Sequence, residues 1–382
     1  MIFAFNTPQD TIRPLSFSGV PGISSSPETG FRYGLVGQAS FDLFKNNLSA
    51  RKSQIRIGTA GSSKGQFQIV SSINLFGRNE SYFSKIWIEY QNWVDRHYGL
   101  GNDANMSVVE FYDDEQRSDT LNHLNYSISK FRIKGSSNRR ISKTSFVGLY
   151  AEYFRSTNYN PLASGASIDP FEIQEDLMNA NYFGLGVNYF YDTRDDINAP
   201  SKGKYLRLSL INFNDRITGD YNLTKLNMEY RHYHNMTDRS IFAFRLRNRY
   251  TFSDSPVPFD ALNRIGGSQL SRGYFSGTFL DRHIFVFTSE YRFKPFEDSS
   301  ESLWKFWKHI HAAVFFTGAQ SFGDSSSFDI GDFNYSLGAG VRIPLTDRQR
   351  FSLRLDYAVG LTKTNAAPER PSGFYVDINE AF

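Results

Sequence analysis

The chain contains no cysteine and no long apolar run, and each absence removes a class of protein. Without cysteine there is no disulfide framework, thiolate zinc site or cysteine nucleophile. No stretch approaches the ~18 consecutive apolar residues that a membrane-spanning helix requires. The formal charge is only +3 for 382 residues, so charge gives no reason to expect a nucleic-acid partner.

Aromatic residues are abundant although the chain as a whole is polar. They make up 16% of the sequence, while the mean hydropathy is −0.44. This combination is typical of a membrane β-barrel, in which apolar and polar residues alternate along the wall. A chain that crosses a membrane with strands must close its sheet, because unpaired backbone groups are costly in lipid. We therefore expect an all-β fold, a transmembrane antiparallel β-barrel.

Alternating segments separated by turn signals follow one another along almost the whole chain. They predict about sixteen strands, an even number as in bacterial single-chain barrels. The predicted strands lie near 13–23, 31–43, 53–61, 66–76, 82–93, 119–134, 140–155, 181–192, 203–214, 222–234, 240–252, 280–293, 307–319, 332–344, 349–361 and 373–382. We expect residues 1–12 to be an N-terminal segment, a signal remnant or periplasmic tail, and residues 13–382 to be the barrel domain.

The segment 241–252 shows the two faces of the predicted wall. Phenylalanine, leucine and tyrosine side chains project to one side, and Arg245, Arg247 and Arg249 project to the other, because side chains alternate along an extended backbone. A charged residue that faces lipid near the midplane costs ~2–4 kcal/mol, so the arginines must face a wet interior. Glu229 in the preceding segment shares their side and is expected to pair with them across adjacent strands.

The connections between the predicted strands differ in length, as they do in bacterial barrels. Short connections, expected to be periplasmic turns, lie at 135–138, 234–238 and 346–348. Longer connections, expected to be extracellular loops, lie at 94–118, 156–180, 253–278 and 321–331.

A glycine-rich stretch with the sequence Ser271-Arg272-Gly273-Tyr274 runs into the alternating segment 280–293. It resembles the signature of the BamA/TamA superfamily of outer-membrane assembly and secretion barrels, in which a long extracellular loop folds back into the lumen with an (I/V/L)RG(F/Y) tip. Here Ser271 takes the aliphatic position. The resemblance implies that Arg272, with Gly273 and Tyr274, locks the loop inside the barrel between strands eleven and twelve. An ordinary turn, in which Gly273 supplies a positive φ, is the alternative.

The resemblance also implies acidic partners for the arginine on the two strands that follow the loop. Glu290 is the natural candidate, because it shares the inward face with Thr288 and Arg292. A buried guanidinium needs such charged or multidentate partners. Where family members commonly carry an aspartate on the next strand, this chain has Thr317, so we name no aspartate as a second partner.

A second stretch that resembles the superfamily lies between the eighth and ninth predicted strands. It matches the DxRD(x)nPxxG hairpin through Asp192, Arg194, Asp195, Pro200 and Gly203. Asp favours turns through side-chain hydrogen bonds, proline fixes φ, and glycine permits a tight return into the next strand. We expect its role to be architectural.

The last residue, Phe382, is predicted to share an outward face with Phe374, Val376 and Ile378. A terminal phenylalanine on an alternating strand resembles the β-signal by which assembly machinery recognises outer-membrane barrels, a case of strand addition to a sheet edge. Glu380 interrupts the apolar face.

The family resemblance implies an outer-membrane barrel that takes part in protein assembly or translocation through a seam between its first and last strands. Only about a dozen residues precede the first strand, so we expect no periplasmic POTRA modules and, instead, separate periplasmic or lipoprotein partners. Outer-membrane lipids, lipopolysaccharide and unfolded outer-membrane protein clients are the other expected partners. A passive or gated pore, or a structural scaffold, remains an alternative.

We expect no enzyme activity, cofactor or metal. The pairs His232/His234 and His309/His311 have a spacing that can bind a metal but is more common among wall residues. An outer-membrane phospholipase is a further alternative, yet it needs a nucleophile and a base within hydrogen-bonding reach, and no local motif of that kind is present.

Overall fold

The computed structural model describes residues 15–26, 30–44, 52–103, 108–111, 118–121, 124–161, 178–197, 199–295, 310–346, 351–364, 370–378 and 380–382. The N-terminal segment predicted at 1–12 lies outside the described residues, as does most of the turn predicted at 346–348. In the part of the chain that is described, no helix is long and apolar enough to cross a membrane.

Sixteen antiparallel strands form one sheet in which each strand pairs with its neighbours along the chain. Two small hairpins, β6 with β7 and β14 with β15, stand apart from this sheet. The strands in chain order are β1 (Leu15–Ser26), β2 (Gly30–Phe41), β3 (Ser53–Ser62), β4 (Phe67–Phe76), β5 (Tyr82–His97), β6 (Val108–Phe111), β7 (Ser118–Leu121), β8 (Leu124–Arg140), β9 (Ser145–Pro161), β10 (Asn181–Asp192), β11 (Gly203–Phe213), β12 (Leu223–Thr237), β13 (Ser240–Phe252), β14 (Asn263–Ile265), β15 (Phe279–Asp281), β16 (His283–Phe293), β17 (His311–Phe322), β18 (Asn334–Thr346), β19 (Phe351–Gly360) and β20 (Ser372–Ile378).

Helical structure among the described residues is confined to short turns in the connections. The turns are four 3-10 helices, at Arg78–Glu80, Phe259–Ala261, Ser325–Ser327 and Ile330–Asp332, and one α-helical turn, α1, at Gly267–Leu270.

The wall has an apolar outer face and a polar inner face. Large apolar side chains point outward and are strongly exposed, among them Phe17 at 76%, Leu149 at 72% and Phe374 at 61%. Arg245 and Arg354 point inward and are buried. A soluble monomer rarely exposes apolar surface on this scale, and lipid is the surrounding that such a face requires. The structure confirms the predicted transmembrane barrel of sixteen strands.

The prediction of a turn at 135–138 is wrong, because these residues belong to strand β8. They pair with β5 on one side and β9 on the other. Both β8 and β9 are 17 residues long, so the hairpin between them extends past these residues. The turn itself lies a few residues later, where the Ser142 hydroxyl accepts hydrogen bonds from the backbone N–H groups of Thr144 and Ser145. Small polar residues marked a strand end in the sequence, but pairing on both sides keeps the backbone extended.

The two ends of the sheet, β1 and β20, approach each other, with Cα atoms within 8 Å. β1 contains Pro21, which pairs with Leu35 of β2. Proline within a sheet is confined mainly to edge strands, because it lacks an N–H group for the ladder. β1 has 12 residues but β20 only 7, so the two edges are unequal in length.

The connection between β13 and β16 folds into the barrel, as predicted for a loop between the eleventh and twelfth strands of the sheet. Its residues Ile265, Tyr274 and Phe279 are fully buried against wall residues such as Ile284 and Ala319. A second cluster joins Phe259 and Leu280 of the connection to strand β8. The loop is therefore packed as part of the core of the barrel.

Candidate functional site: the loop tip inside the lumen

The side chain of Arg272 lies at the tip of the inward loop and is 3% exposed. Its Nη2 donates to Glu290 Oε2 of β16 at 2.8 Å, and its Nη1 donates to Asp356 Oδ2 of β19 at 2.6 Å. The guanidinium carbon stands 3.3 Å from the centroid of the Phe315 ring, so one face of the group is covered by a π system. The loop thus contacts strands that are far apart along the chain.

These contacts belong to a larger group of charges, here called the lock cluster. Arg342 is its most connected arginine, because it contacts Glu290 at 3.0 Å, Asp356 at 2.5 Å and Glu380 at 3.0 Å. The lock cluster contains four arginines and four carboxylates, so its formal charge balances: Arg272, Arg292, Arg342, Arg354, Glu290, Asp356, Asp377 and Glu380. Buried charges are retained only when they are paired in this way.

Two glycines of β18 make room for the lock cluster. A Cβ atom at Gly340 would lie 2.0 Å from an Asp356 carboxylate oxygen, and one at Gly338 would lie 2.4 Å from the ring of Phe315. Any larger residue at either position would displace a partner of Arg272. The side chains that pack against β18 therefore explain why positions 338 and 340 are glycine.

The backbone at Gly273 fits closely against β19. Its φ is +107°, and a Cβ atom there would lie 2.7 Å from the carbonyl carbon of Val359. The Gly273 N–H donates to the Tyr375 hydroxyl at 2.9 Å, and the Tyr274 hydroxyl donates to the Tyr335 carbonyl oxygen at 2.9 Å. Only glycine combines a positive φ with this approach of two backbones.

The base of the loop is attached to the opposite wall by a second set of charges. Arg264 contacts Asp95 of β5 at 2.5 Å, and Asp260 contacts Lys130 of β8 at 2.8 Å. Burial alone raises the pKa of the Asp260 carboxyl, but Lys130 and Arg264 beside it outweigh burial and hold the pKa below its ordinary value. The loop therefore spans the lumen between two walls.

The second partner of Arg272 is Asp356, which the sequence analysis did not name. Thr317, at the position where the family commonly has an aspartate, donates to Thr288 at 3.3 Å instead. A carboxylate from β19 contacts the guanidinium in its place. One sequence signal was present, because Asp356 lies on the inward face of the last but one predicted strand.

The predicted hairpin residues come together between β10 and β11, the eighth and ninth strands of the sheet. Arg194 donates to both carboxylate oxygens of Asp192, at 2.9 and 3.0 Å. The Asp195 carboxylate accepts from the Ser201 hydroxyl at 2.6 Å, and Gly203 has a φ of +107°. Pro200 lies buried between Asp195 and Gly203 in the turn.

The prediction that Phe382 shares the outer face with Phe374 is wrong. β20 ends at Ile378, and the ring of Phe382 lies inside the lumen, where it is 4% exposed. The guanidinium carbon of Arg245 stands 4.7 Å from its centroid, and Arg292 donates to its carbonyl oxygen at 3.3 Å. The lumen arginines supply donors that the outer face lacks, so the chain turns inward after β20.

The predicted pairing of Glu229 with lumen arginines is confirmed. Glu229 Oε1 accepts from Arg247 of the neighbouring strand at 2.7 Å and from Arg231 at 2.8 Å. Within the described residues, no group of three or more His, Asp or Glu side chains is placed to hold a metal ion.

The fold and the loop contacts define a class: an outer-membrane β-barrel with an arginine-tipped loop folded into its lumen. The Omp85 superfamily domain matches residues 74–382, and the chain belongs to this superfamily. This confirms the resemblance found in the sequence, and it makes the chain an outer-membrane protein. No curated protein matches the chain.

Three solved structures illustrate the similarity of fold. BamA from Haemophilus ducreyi lacking POTRA domains 1–3 is similar with a TM-score of 0.59 and 13% identity, over 96% of this chain and 70% of that one. CdiB from Escherichia coli has a TM-score of 0.59 and 11% identity, over 98% and 63%. CdiB from Acinetobacter baumannii has a TM-score of 0.54 and 12% identity, over 96% and 60%. At these identities the similarity shows the shared barrel fold.

Proposed function

We propose that this barrel takes part in the assembly or translocation of outer-membrane proteins by opening between β1 and β20. The observation that carries the proposal is the pair of unequal edges in a chain of the Omp85 superfamily. A strand edge with unpaired backbone groups is a template for another strand, and addition of a client strand to such an edge is a general recognition mode. Unfolded outer-membrane proteins are the proposed clients.

The inward loop has a supporting role in this proposal. Arg272, Gly273, Tyr274 and Glu290 hold the loop against β16–β19, so that this part of the wall stays fixed while the seam opens. The Asp192–Gly203 hairpin fixes the register of β10 and β11 in the opposite wall. We further propose that the segment containing Phe374 and Phe382 is the recognition signal during the barrel's own assembly, before Phe382 enters the lumen.

The two faces and the two ends of the barrel suggest its lipid and protein partners. The apolar outer face contacts outer-membrane lipids and lipopolysaccharide, and periplasmic or lipoprotein partners deliver clients to the periplasmic end. A wide passive pore is disfavoured, because the loop and residues 380–382 occupy the lumen. No observation favours a phospholipase.

Closing the seam covalently tests the proposal. The chain has no cysteine, so introduced pairs give unambiguous cross-links. One cysteine in β1 and one in β20, chosen by scanning for the pair that cross-links completely, would staple the seam. The matched control is Val187→Cys with Leu210→Cys, a cross-strand pair on the outer face of β10 and β11.

The readout is insertion of an unfolded outer-membrane protein into proteoliposomes that contain each stapled barrel. We expect the seam staple to lower the insertion rate at least about tenfold and a reductant to restore it, since no client strand reaches a closed edge. The control staple should leave the rate unchanged. Full insertion by the unreduced seam-stapled barrel would contradict the proposal.

A further inference from the structure

A cavity of about 150 Å³ lies inside the barrel between the inner wall and the base of the loop. Its wall side is formed by residues of β8, β9, β11, β12 and β13, and Asp260, Leu262 and Asn263 of the loop cover it. The volume exceeds that of a single ordered water several-fold. The cavity is separate from the lock cluster, whose residues are not part of its lining.

The lining of this cavity carries more positive than negative charge. Six cations, from Arg132, Lys134, Arg207, Lys225, Arg247 and Arg249, face three carboxylates. Each carboxylate is already in contact with two partners. Glu229 contacts Arg231 and Arg247, Glu152 contacts Tyr150 and Arg132, and Asp260 contacts Lys130 and Arg264.

Four of the six cations have no carboxylate of their own. Among the described residues, no carboxylate oxygen lies within 4 Å of the charged groups of Lys134, Arg207, Lys225 or Arg249. The Nε of Arg207 is buried without a hydrogen-bond acceptor. The ammonium of Lys225 lies 5.3 Å from the rings of Tyr182 and Phe213, which attract a cation but accept few of its hydrogen bonds.

The strand register brings these cations together. Arg207 of β11 and Arg247 of β13 lie in one row on either side of Glu229. Arg249 is the next inward residue of β13, about 7 Å further along that strand. Lys225 lies two inward positions from Glu229 on β12, beyond Asn227, which pairs with Arg249. Donors from three adjacent strands therefore converge on one space. Buried positive charge without a counter-charge is costly, whereas the lock cluster, with four cations and four anions, is balanced.

We propose that this cavity is a binding site for a multiply charged oxyanion of the phosphate class. Such an anion offers several acceptor oxygens to guanidinium and ammonium donors that point at it from different directions. The shared chemistry is a phosphoryl group, carried either by a soluble phosphate or by the headgroup of a phosphorylated lipid. The assignment does not depend on the proposed assembly role.

Thermal unfolding of the detergent-solubilised full chain tests the site with pyrophosphate as the soluble probe. At matched ionic strength, we expect pyrophosphate but not chloride to raise the unfolding temperature saturably, by a few degrees. The test variant is the double substitution Lys225→Gln with Arg249→Gln. Its apparent Kd should rise at least about tenfold, because two of the unpaired donors are removed.

The matched control is Arg56→Gln, which removes a cation outside the lining of the cavity, where Arg56 donates to Gln38. A second arm replaces pyrophosphate by mixed micelles that contain phosphatidic acid, whose phosphomonoester is multiply charged, compared with phosphatidylcholine. A shift with pyrophosphate that only the double variant loses assigns a soluble anion, and the same result confined to phosphatidic acid assigns a lipid headgroup. No shift in either arm, or an equal loss in the control, overturns the proposal.

Discussion

At the scale of single residues, Arg272 divides its donors between carboxylates on two strands. Glu290 and Asp356 are fully buried, and both also contact Arg342. Removal of one charge from a buried network leaves the remaining charges partly uncompensated, at a cost of about 3–5 kcal/mol. Arg247 differs, because it contacts one carboxylate, Glu229, beside a cavity where cations outnumber carboxylates, so its loss leaves no excess of negative charge.

We therefore predict that Arg272→Ala destabilises the barrel far more than Arg247→Ala. The measurement is the temperature at which the folded band disappears from an unboiled electrophoresis gel. Arg272→Lys should fall between the two, since an ammonium keeps the charge but lacks the planar fork that spans both carboxylates. If this temperature falls equally in the two alanine variants, the contacts of Arg272 stabilise the barrel no more than those of Arg247.

The sequence made part of this site predictable. The role of Glu290 could be predicted, because Glu290 lies on the inward face of the strand that follows the loop. Alternation along a strand is local information in the sequence. The contact of Asp356 with Arg272 could not be predicted, because 84 residues separate the two. Its contact depends on how far β19 lies around the wall from the loop, which no local pattern encodes.

At the scale of elements, the segment after β20 behaves differently from the strand itself. Phe374 continues the outward alternation, whereas Phe382 lies among Tyr233, Ala243 and Ala381 in the lumen. The two phenylalanines are eight positions apart, and period-two alternation alone places them on one face. The arginines of β13, β16 and β18 override that pattern.

We predict that Phe382→Ala lowers the free energy of unfolding in detergent by about 3–5 kcal/mol, the usual cost of removing a buried ring. Phe374→Ala is the matched control, since its ring is exposed on the outer face, and its effect in detergent should be small. Unfolding in urea, followed by tryptophan fluorescence, measures both. If the two variants unfold together, Phe382 does not stay in the lumen.

At the scale of the whole molecule, one face of the sheet meets lipid and the other encloses ions. The central outer-face residue Val187 of β10 is 52% exposed, and Ile217, in the connection to β12, is 55% exposed. In a soluble protein, both positions would accept a charge at little cost. In a membrane, only the position in the connection should accept it.

We predict that Val187→Arg destabilises the barrel in phospholipid bilayers by about 2–4 kcal/mol, because a charge near the midplane is costly. Ile217→Arg should change stability by less than about 1 kcal/mol. Reversible urea unfolding in vesicles compares the two variants. A tolerated arginine at Val187 would mean that the outer face does not contact acyl chains.

The sequence by itself determined the number and order of the strands, the two faces of the wall and the position of the inward loop. These features follow from alternation with period two and from the cost of charge in lipid, which act on each segment separately. The tertiary structure alone decided which carboxylates contact Arg272, where Phe382 lies and which cations share a cavity. Those contacts join residues across the lumen, and the way the sheet curves around it sets their distances.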